Sequence, residues 1–222
     1  MPEGQLTVPR GACDLRQRGL VAAMSLVSLD LESDLDTRAP GRPLRIALVT
    51  FYNYESHALR IFHPLLKQRG HEVHSIYFKN YFTYQVPTQQ EEDMVVELIT
   101  ELQPDLVAMS VWSTYYQLAG RLTRRIKEAT GAVTIWGGIH PQTRPDDCLQ
   151  HADIVCRSEG EYVLAELTDR LSLGLDYSDL HGCWVRNGDD VMRNPARTLI
   201  PNLDVLPLPD LSPENKYYLG YN

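Results

Sequence analysis

A chain of 222 residues with 43% apolar content has material for one ordinary globular domain plus additional segments. A net charge of −8 and a pI near 5.3 speak against a nucleic-acid-binding face, and no dense Lys/Arg run supplies one. No apolar run reaches the roughly 20 residues a membrane helix needs, so neither nucleic acid nor membrane is expected as a partner.

Residues 1–43 mix Gly, Pro, Arg and Asp without sustained periodicity and predict a disordered N-terminal extension ending in "RAPGRP", Arg38–Pro43. Within it, "LVAAMSLVSL" (20–29) follows Arg16 and Arg18 like the apolar part of a signal peptide. A small-residue cleavage site is missing and "DLESDLD" follows, so a cytoplasmic location is expected, with Met24 as an alternative start. The four cysteines, Cys13, Cys148, Cys156 and Cys183, are irregularly spaced and form no CxxC. That suits a reducing compartment and argues against a zinc or iron–sulfur centre held by these residues.

Order is expected from Leu44. "LRIALVTF" (44–51) is a continuous apolar run, as in a strand buried on both faces. "ESHALRIFHPLLKQRG" (55–70) has helical periodicity and ends on Gly70, although Pro64 in its middle removes a hydrogen bond. A strand follows at 71–78, then an amphipathic helix at 90–104 and a strand at 105–112. The next helix spans 116–131, with Arg121, Arg124, Arg125 and Lys127 read as its solvated face, and a strand covers 132–136. A short helix at 144–152 carries Pro145 in its first turn, where proline is tolerated. A strand at 153–157 and a helix at 161–174 complete the alternation. Five strand–helix units imply a parallel Rossmann- or flavodoxin-like sheet over 44–176, with helices on both faces. Residues 182–200 read as a β-hairpin around Asn187-Gly188, and 202–222 as a proline-punctuated extended linker.

In such a sheet the ligand lies beyond the carboxyl ends of the strands, so the loops there carry function. The turn after the first strand, "YNYESHA", has no glycine and cannot be a dinucleotide fingerprint. A P-loop is absent, and Glu55 alone does not make the acidic cluster of a phospho-receiver. Ser110 and Ser113 flank Val111-Trp112 in the third loop, and Gly137-Gly138 close the fourth strand. The glycines either let a ligand lie against bare backbone or supply positive φ in a tight turn. His140 either touches a ligand or hydrogen-bonds its own turn. His71 and His74 lie three apart on a strand, and His57 and His63 diverge around a helix, so neither pair suggests zinc. Cys156 reads as a buried apolar filler.

The order strand–"GGIHP"–short helix–strand–"SEGE"–helix resembles the N-terminal cobalamin (B12)-binding domain of the B12-dependent radical SAM protein family. Gly137, Gly138, His140 and Pro141 match one motif. Glu159, Gly160 and Glu161 match the other, with Ser158 in place of its first glycine. "AMSVWS" resembles the family's third strand, "NLDVLPLPDL" resembles its linker, and the likeness covers about residues 44–215.

The resemblance implies a corrin ring over the sheet edge, with its dimethylbenzimidazole tail threading between the first helix and the third and fourth loops. Ser110, Trp112 and Ser113 would line the site, and Gly137 and Gly138 would let the tail pass. Asn53, Tyr54, Glu55, Ser56 and His57 would face the ring from the first loop. Glu159 and Glu161 would organise the last turn beside Gly160, and Glu161 would also suit a helix start. "ESHALR" is similar to the D-x-H-x-x-G motif in which histidine ligates cobalt, with Glu55 for Asp and Arg60 for Gly. His57 is therefore a candidate cobalt ligand, or else a histidine exposed at a helix start. No CxxxCxxC occurs, so SAM and a 4Fe-4S cluster are expected only in a downstream radical SAM domain, in cis or in trans. The alternatives are a stand-alone flavodoxin-like adaptor and a nucleotide-binding domain.

Overall fold

The computed structural model describes residues 41–80 and 85–220. The N-terminal extension, its signal-like stretch, Met24 and Cys13 lie outside the described residues.

Seven elements form the first half: β1 (Arg45–Phe51), α1 (His57–Gln68), β2 (Glu72–Phe78), α2 (Gln89–Leu102), β3 (Leu106–Ser110), α3 (Tyr116–Thr130) and β4 (Val133–Gly137). Two short helices follow, α4 (Ile139–Thr143) and α5 (Pro145–Cys148), then β5 (Ile154–Cys156) and α6 (Gly160–Leu173). The hairpin is β6 (Cys183–Asn187) and β7 (Asp190–Arg193), and a last strand, β8, spans Lys216–Leu219. The helix expected over 144–152 is shorter, Pro145–Cys148, and a further helix, Ile139–Thr143, stands before it where a loop was expected. The two are divided at Arg144 (φ −134, ψ 58), where the following Pro145 disfavours helical backbone.

The strands form one sheet in the order β7-β6-β5-β4-β3-β1-β2-β8. The five expected strands are parallel, and the hairpin adds two antiparallel strands at one edge. The expected linker supplies an eighth strand, with β8 pairing in parallel with β2 at the other edge. The chain leaves β1 for β2 on one side and reaches β3 on the other. The carboxyl ends of β1 and β3 therefore flank the switch point where such sheets hold ligands.

Alternation along β1 separates two cores. Ala47, Val49 and Phe51 join the apolar stripes of α2 and α3, whereas Leu44, Ile46 and Leu48 join those of α1 and α6. Thr88 caps α2 in a reciprocal capping box with Glu91. Gly131 and Gly174 end α3 and α6 in the left-handed conformation that favours glycine. On the second face, Arg69 at the end of α1 donates to the buried Asp169 of α6 (Nε to Oδ1, 3.2 Å), which fixes the two helices side by side.

Pro64 is accommodated by the tail. Proline in α1 leaves the carbonyl of Arg60 without its helical donor, and the Asp210 N–H reaches it at 2.9 Å. The Asp210 carboxylate accepts from the buried Lys216 Nζ at 2.9 Å, and Tyr218 of β8 stacks on Tyr77 of β2 with centroids 4.9 Å apart. The segment expected to be an extended linker is thus bonded to α1 and β2.

Candidate functional site

A cavity of about 240 Å³ opens on the α1/α6 face at the carboxyl ends of the central strands. Its walls are Ala58, Leu59 and Phe62 of α1, and Val163 and Leu164 of α6. Its floor is Leu48, Ala108, Ile135 and Cys156, and its rim holds Ser110, Gly137, Gly138, Gln142 and the turn Ser158–Glu161. An apolar slot with a few polar groups at its rim suits a flat heteroaromatic ligand.

The two rim glycines differ. Gly138 has φ +102, and a Cβ there would lie 3.0 Å from the Val111 carbonyl oxygen, so the interlock of the third and fourth loops itself requires glycine. Gly137 has no such backbone demand. A Cβ would sit at ordinary contact distance, 3.8 Å from Cys156, within the cavity lining. Positive φ thus accounts for Gly138, whereas Gly137 leaves bare backbone at the cavity wall.

Ser110 lines the slot, whereas Ser113 does not; its Oγ bonds His140 Nδ1 at 3.0 Å. His140 is buried in α4, lies 4.6 Å from the Tyr116 ring and has no partner for Nε2 among the described residues. It ties the fourth loop to the third through Ser113. The Glu159 carboxylate accepts from the Ile200 N–H at 2.7 Å, so it organises the chain after the hairpin, while its residue also lines the slot. Gly160 starts α6 against the Phe62 ring, whose tip would be 2.7 Å from an added Cβ. Glu161 stands in the first turn of α6, and burial, with the Glu159 charge adding, raises its carboxyl above the ordinary range. The buried Ser158 hydroxyl has no partner among the described residues and lies in the lining, a polar group available to an occupant.

A second, open cleft of about 370 Å³ lies at the ends of β1 and β3, lined by Phe51, Tyr52, Asn53, Tyr54, Glu55, Trp112 and Tyr115. Trp112 is 54% exposed there, a large apolar surface left to solvent. Tyr52 was not singled out from sequence. It adopts φ 53, rare for an aromatic residue, held by its N–H to the Phe78 carbonyl (2.8 Å) and by stacking on Tyr115 at 4.6 Å. Its hydroxyl donates to the Gln85 carbonyl, and burial, with Tyr115 and Glu91 adding, pushes its pKa up to about 12. Ser56 caps α1 by accepting from the Leu59 N–H at 3.5 Å. Glu55 and His57 are both exposed at this edge, and no hydrogen bond joins them among the described residues. No cluster of three or more His, Cys, Asp or Glu poised for a metal occurs among the described residues, and none of their helices is long and apolar enough to cross a membrane.

An open, mostly parallel sheet with an apolar slot beneath its switch-point edge defines a small-molecule-binding α/β domain. Residues 46–168 match the family model described as the B12 binding domain, and the chain belongs to that family. It is 30% identical over 129 residues to the uncharacterized methyltransferase PH0819 of Pyrococcus horikoshii, covering 55% of this chain and 28% of that protein. It is 28% identical over 130 residues to the cobalamin-dependent radical SAM methyltransferase TokK of Streptomyces tokunonensis, covering 56% and 18%. The chain therefore spans less than a third of the length of these relatives. Among solved structures, the methyltransferase TsrM of Kitasatospora setae with cobalamin and a 4Fe-4S cluster bound matches with a TM-score of 0.60 at 20% identity, over 73% of this chain and 30% of that one. The radical enzyme OxsB with aqua-cobalamin and S-adenosylmethionine bound matches at 0.61 and 19%, over 77% and 24%. These two likenesses concern the fold.

Proposed function

We propose that this chain is the cobalamin-binding module of a radical SAM enzyme, and that the slot between α1 and α6 takes the dimethylbenzimidazole tail of the corrinoid. The observation that carries the reading is the slot itself. It is apolar and flanked by bare backbone at Gly137, and it ends at the strand edge where an exposed Trp112 and the Asn53–His57 loop await a large flat group. The fit test is met by the space a Cβ at Gly137 would fill and by the Ser158 hydroxyl left for an occupant.

Cobalamin supplies a cobalt centre able to carry methyl groups. This chain's residues do the holding: the α1 and α6 side chains exclude water from the tail, Ser110 and Ser158 offer it hydrogen bonds, and the first loop faces the ring. His57, exposed at the first turn of α1 beside the open cleft though not in its lining, is the candidate cobalt ligand on this reading. SAM and the iron–sulfur cluster belong to a radical SAM domain acting in cis or in trans, and methyl transfer is the activity that relatives with such names favour. The purified chain, incubated with hydroxocobalamin and desalted, is expected to retain the visible absorbance of the corrinoid. A folded chain that retains none, or that takes up heat with a nucleotide panel and not with cobalamin in titration calorimetry, overturns the reading.

A further inference from the structure

Two buried thiols face each other beneath the slot. Cys156 ends β5, Cys183 begins β6, and the antiparallel register sets them directly opposite. The neighbouring backbone bonds, Arg157 N–H to Gly182 O and Arg186 N–H to Asp153 O, each 2.8 Å, fall on alternate pairs of this ladder. Cys156 and Cys183 therefore occupy a non-hydrogen-bonded pair, where Cα atoms stand about 4.5 Å apart and side chains come closest. A disulfide spans Cα separations of about 4.4–6.8 Å. Both side chains enter the same apolar cluster, and the Cys156 thiol donates to the Ser158 carbonyl at 3.3 Å. The facing Cys183 thiol draws the Cys156 thiol below its ordinary pKa against the effect of burial, and the same pairing, with burial adding, pushes that of Cys183 well above.

Cys156 also has a route to solvent. It is only 4% exposed, yet it forms part of the slot floor. The thiolate is the reactive form, so the lowered pKa of Cys156 makes it the attacking sulfur of the pair. Cys148 provides the contrast. It is buried in the cluster on the opposite face, does not line the slot, and burial pushes its thiol up to about 12.

We propose that Cys156 and Cys183 are a redox-active dithiol, closed to a disulfide by a small two-electron oxidant such as hydrogen peroxide arriving through the slot, and shielded when the slot is filled. The shielding clause rests on the slot being the corrinoid-tail site; the dithiol clause does not. Cys156 Sγ attacks one peroxide oxygen, the O–O bond breaks, and the thiol proton leaves with the other oxygen as water. The resulting sulfenic acid is attacked by Cys183 Sγ, the S–O bond breaks, and a second water departs with the Cys183 proton. Two thiols are oxidised and one peroxide is reduced to two waters.

The test treats the chain, carrying Cys13→Ser, with hydrogen peroxide, with and without cyanocobalamin. Alkylation, digestion and mass spectrometry then locate the disulfide, and retained corrinoid absorbance reports occupancy. A Cys156–Cys183 linked peptide is expected in the cofactor-free chain while Cys148 stays reduced, and bound cyanocobalamin slows its formation about tenfold. In Cys183→Ser, a dimedone-reactive sulfenic acid on Cys156 replaces the link. No link in the cofactor-free chain, or oxidation of Cys148 at the same rate, overturns the dithiol. Retained corrinoid with an unchanged rate overturns the shielding. A chain that retains no cyanocobalamin overturns the slot reading instead, and the cofactor-free arm alone then decides the dithiol.

Discussion

Gly137 and Gly138 are neighbours with different reasons to be glycine, and substitution separates them. Gly138→Ala forces a Cβ onto the Val111 backbone at 3.0 Å in a left-handed residue, and about 1–3 kcal/mol of stability should be lost by urea unfolding. Gly137→Leu adds a side chain at a position with ordinary backbone and 3.8 Å of clearance, pointing into the slot. It should leave the unfolding midpoint within experimental scatter and abolish corrinoid retention; full retention by this variant would place the tail elsewhere. His57 allows a second measurement at the same scale. It is exposed at the first turn of α1, so His57→Ala should cost little stability. If its imidazole ligates cobalt, the variant still binds corrinoid but its visible spectrum shifts to that of a histidine-free form. An unchanged spectrum removes His57 from the metal.

At the scale of the element, the tail is where sequence and structure part. Each helix of the central alternation carries its own periodicity, and each buried strand its own apolar run, so both were legible without partners. The strand "KYYL" (216–219) has no such signature, because its register is set by β2, more than a hundred residues earlier. Pro64 was legible as a break, but not as a socket for the Asp210 N–H. The slot was half legible: the glycines and the Ser158–Glu161 turn marked its rim, whereas Leu59, Phe62, Val163 and Leu164 read like any helix stripe, whether they meet a sheet or border a gap. Docking of the tail makes a prediction about charges. Lys216 is 2% exposed, and Asp210→Ala leaves it with only Ser212 as a partner, so the variant should lose about 2–3 kcal/mol in urea. Lys67→Ala breaks the nearby pair with Glu214, both largely exposed, and should cost under about 1 kcal/mol. Equal losses from the two would mean that Asp210 and Lys216 do not hold the tail.

For the whole molecule, histidines kept neutral by burial set the tolerance of acid, and His63 carries the largest lowering. The α1/α6 face contains His63, wholly buried, with Nδ1 2.9 Å from Ser75 Oγ and Nε2 3.8 Å from the Asp210 carboxylate. Burial first, and then the charge of Lys216, lower its pKa from 6.5 to about 4; Lys67 adds to the shift, and Asp210 and Glu214 oppose it. The folded chain thus keeps His63 neutral over a pH range in which the unfolded chain protonates it. Between pH 6.5 and about 4 the unfolded state binds more protons, so stability rises with pH across that window and falls as acid is added. The shift from 6.5 to about 4 corresponds to a loss on the order of 3 kcal/mol by the lower end. Asp210 stays charged throughout, because Lys216 and Ser212 hold its carboxyl down to about 2 despite burial; its own contribution is lost only below the ordinary aspartate range. Urea midpoints measured at pH 7, 6 and 5 should therefore decline in the native chain. The decline should be shallower in His63→Asn, which keeps a hydrogen-bonding group near Ser75 but cannot take up a proton. The same slope in both chains would assign the acid sensitivity to another group and make His63 a bystander in the packing of α1 against the tail.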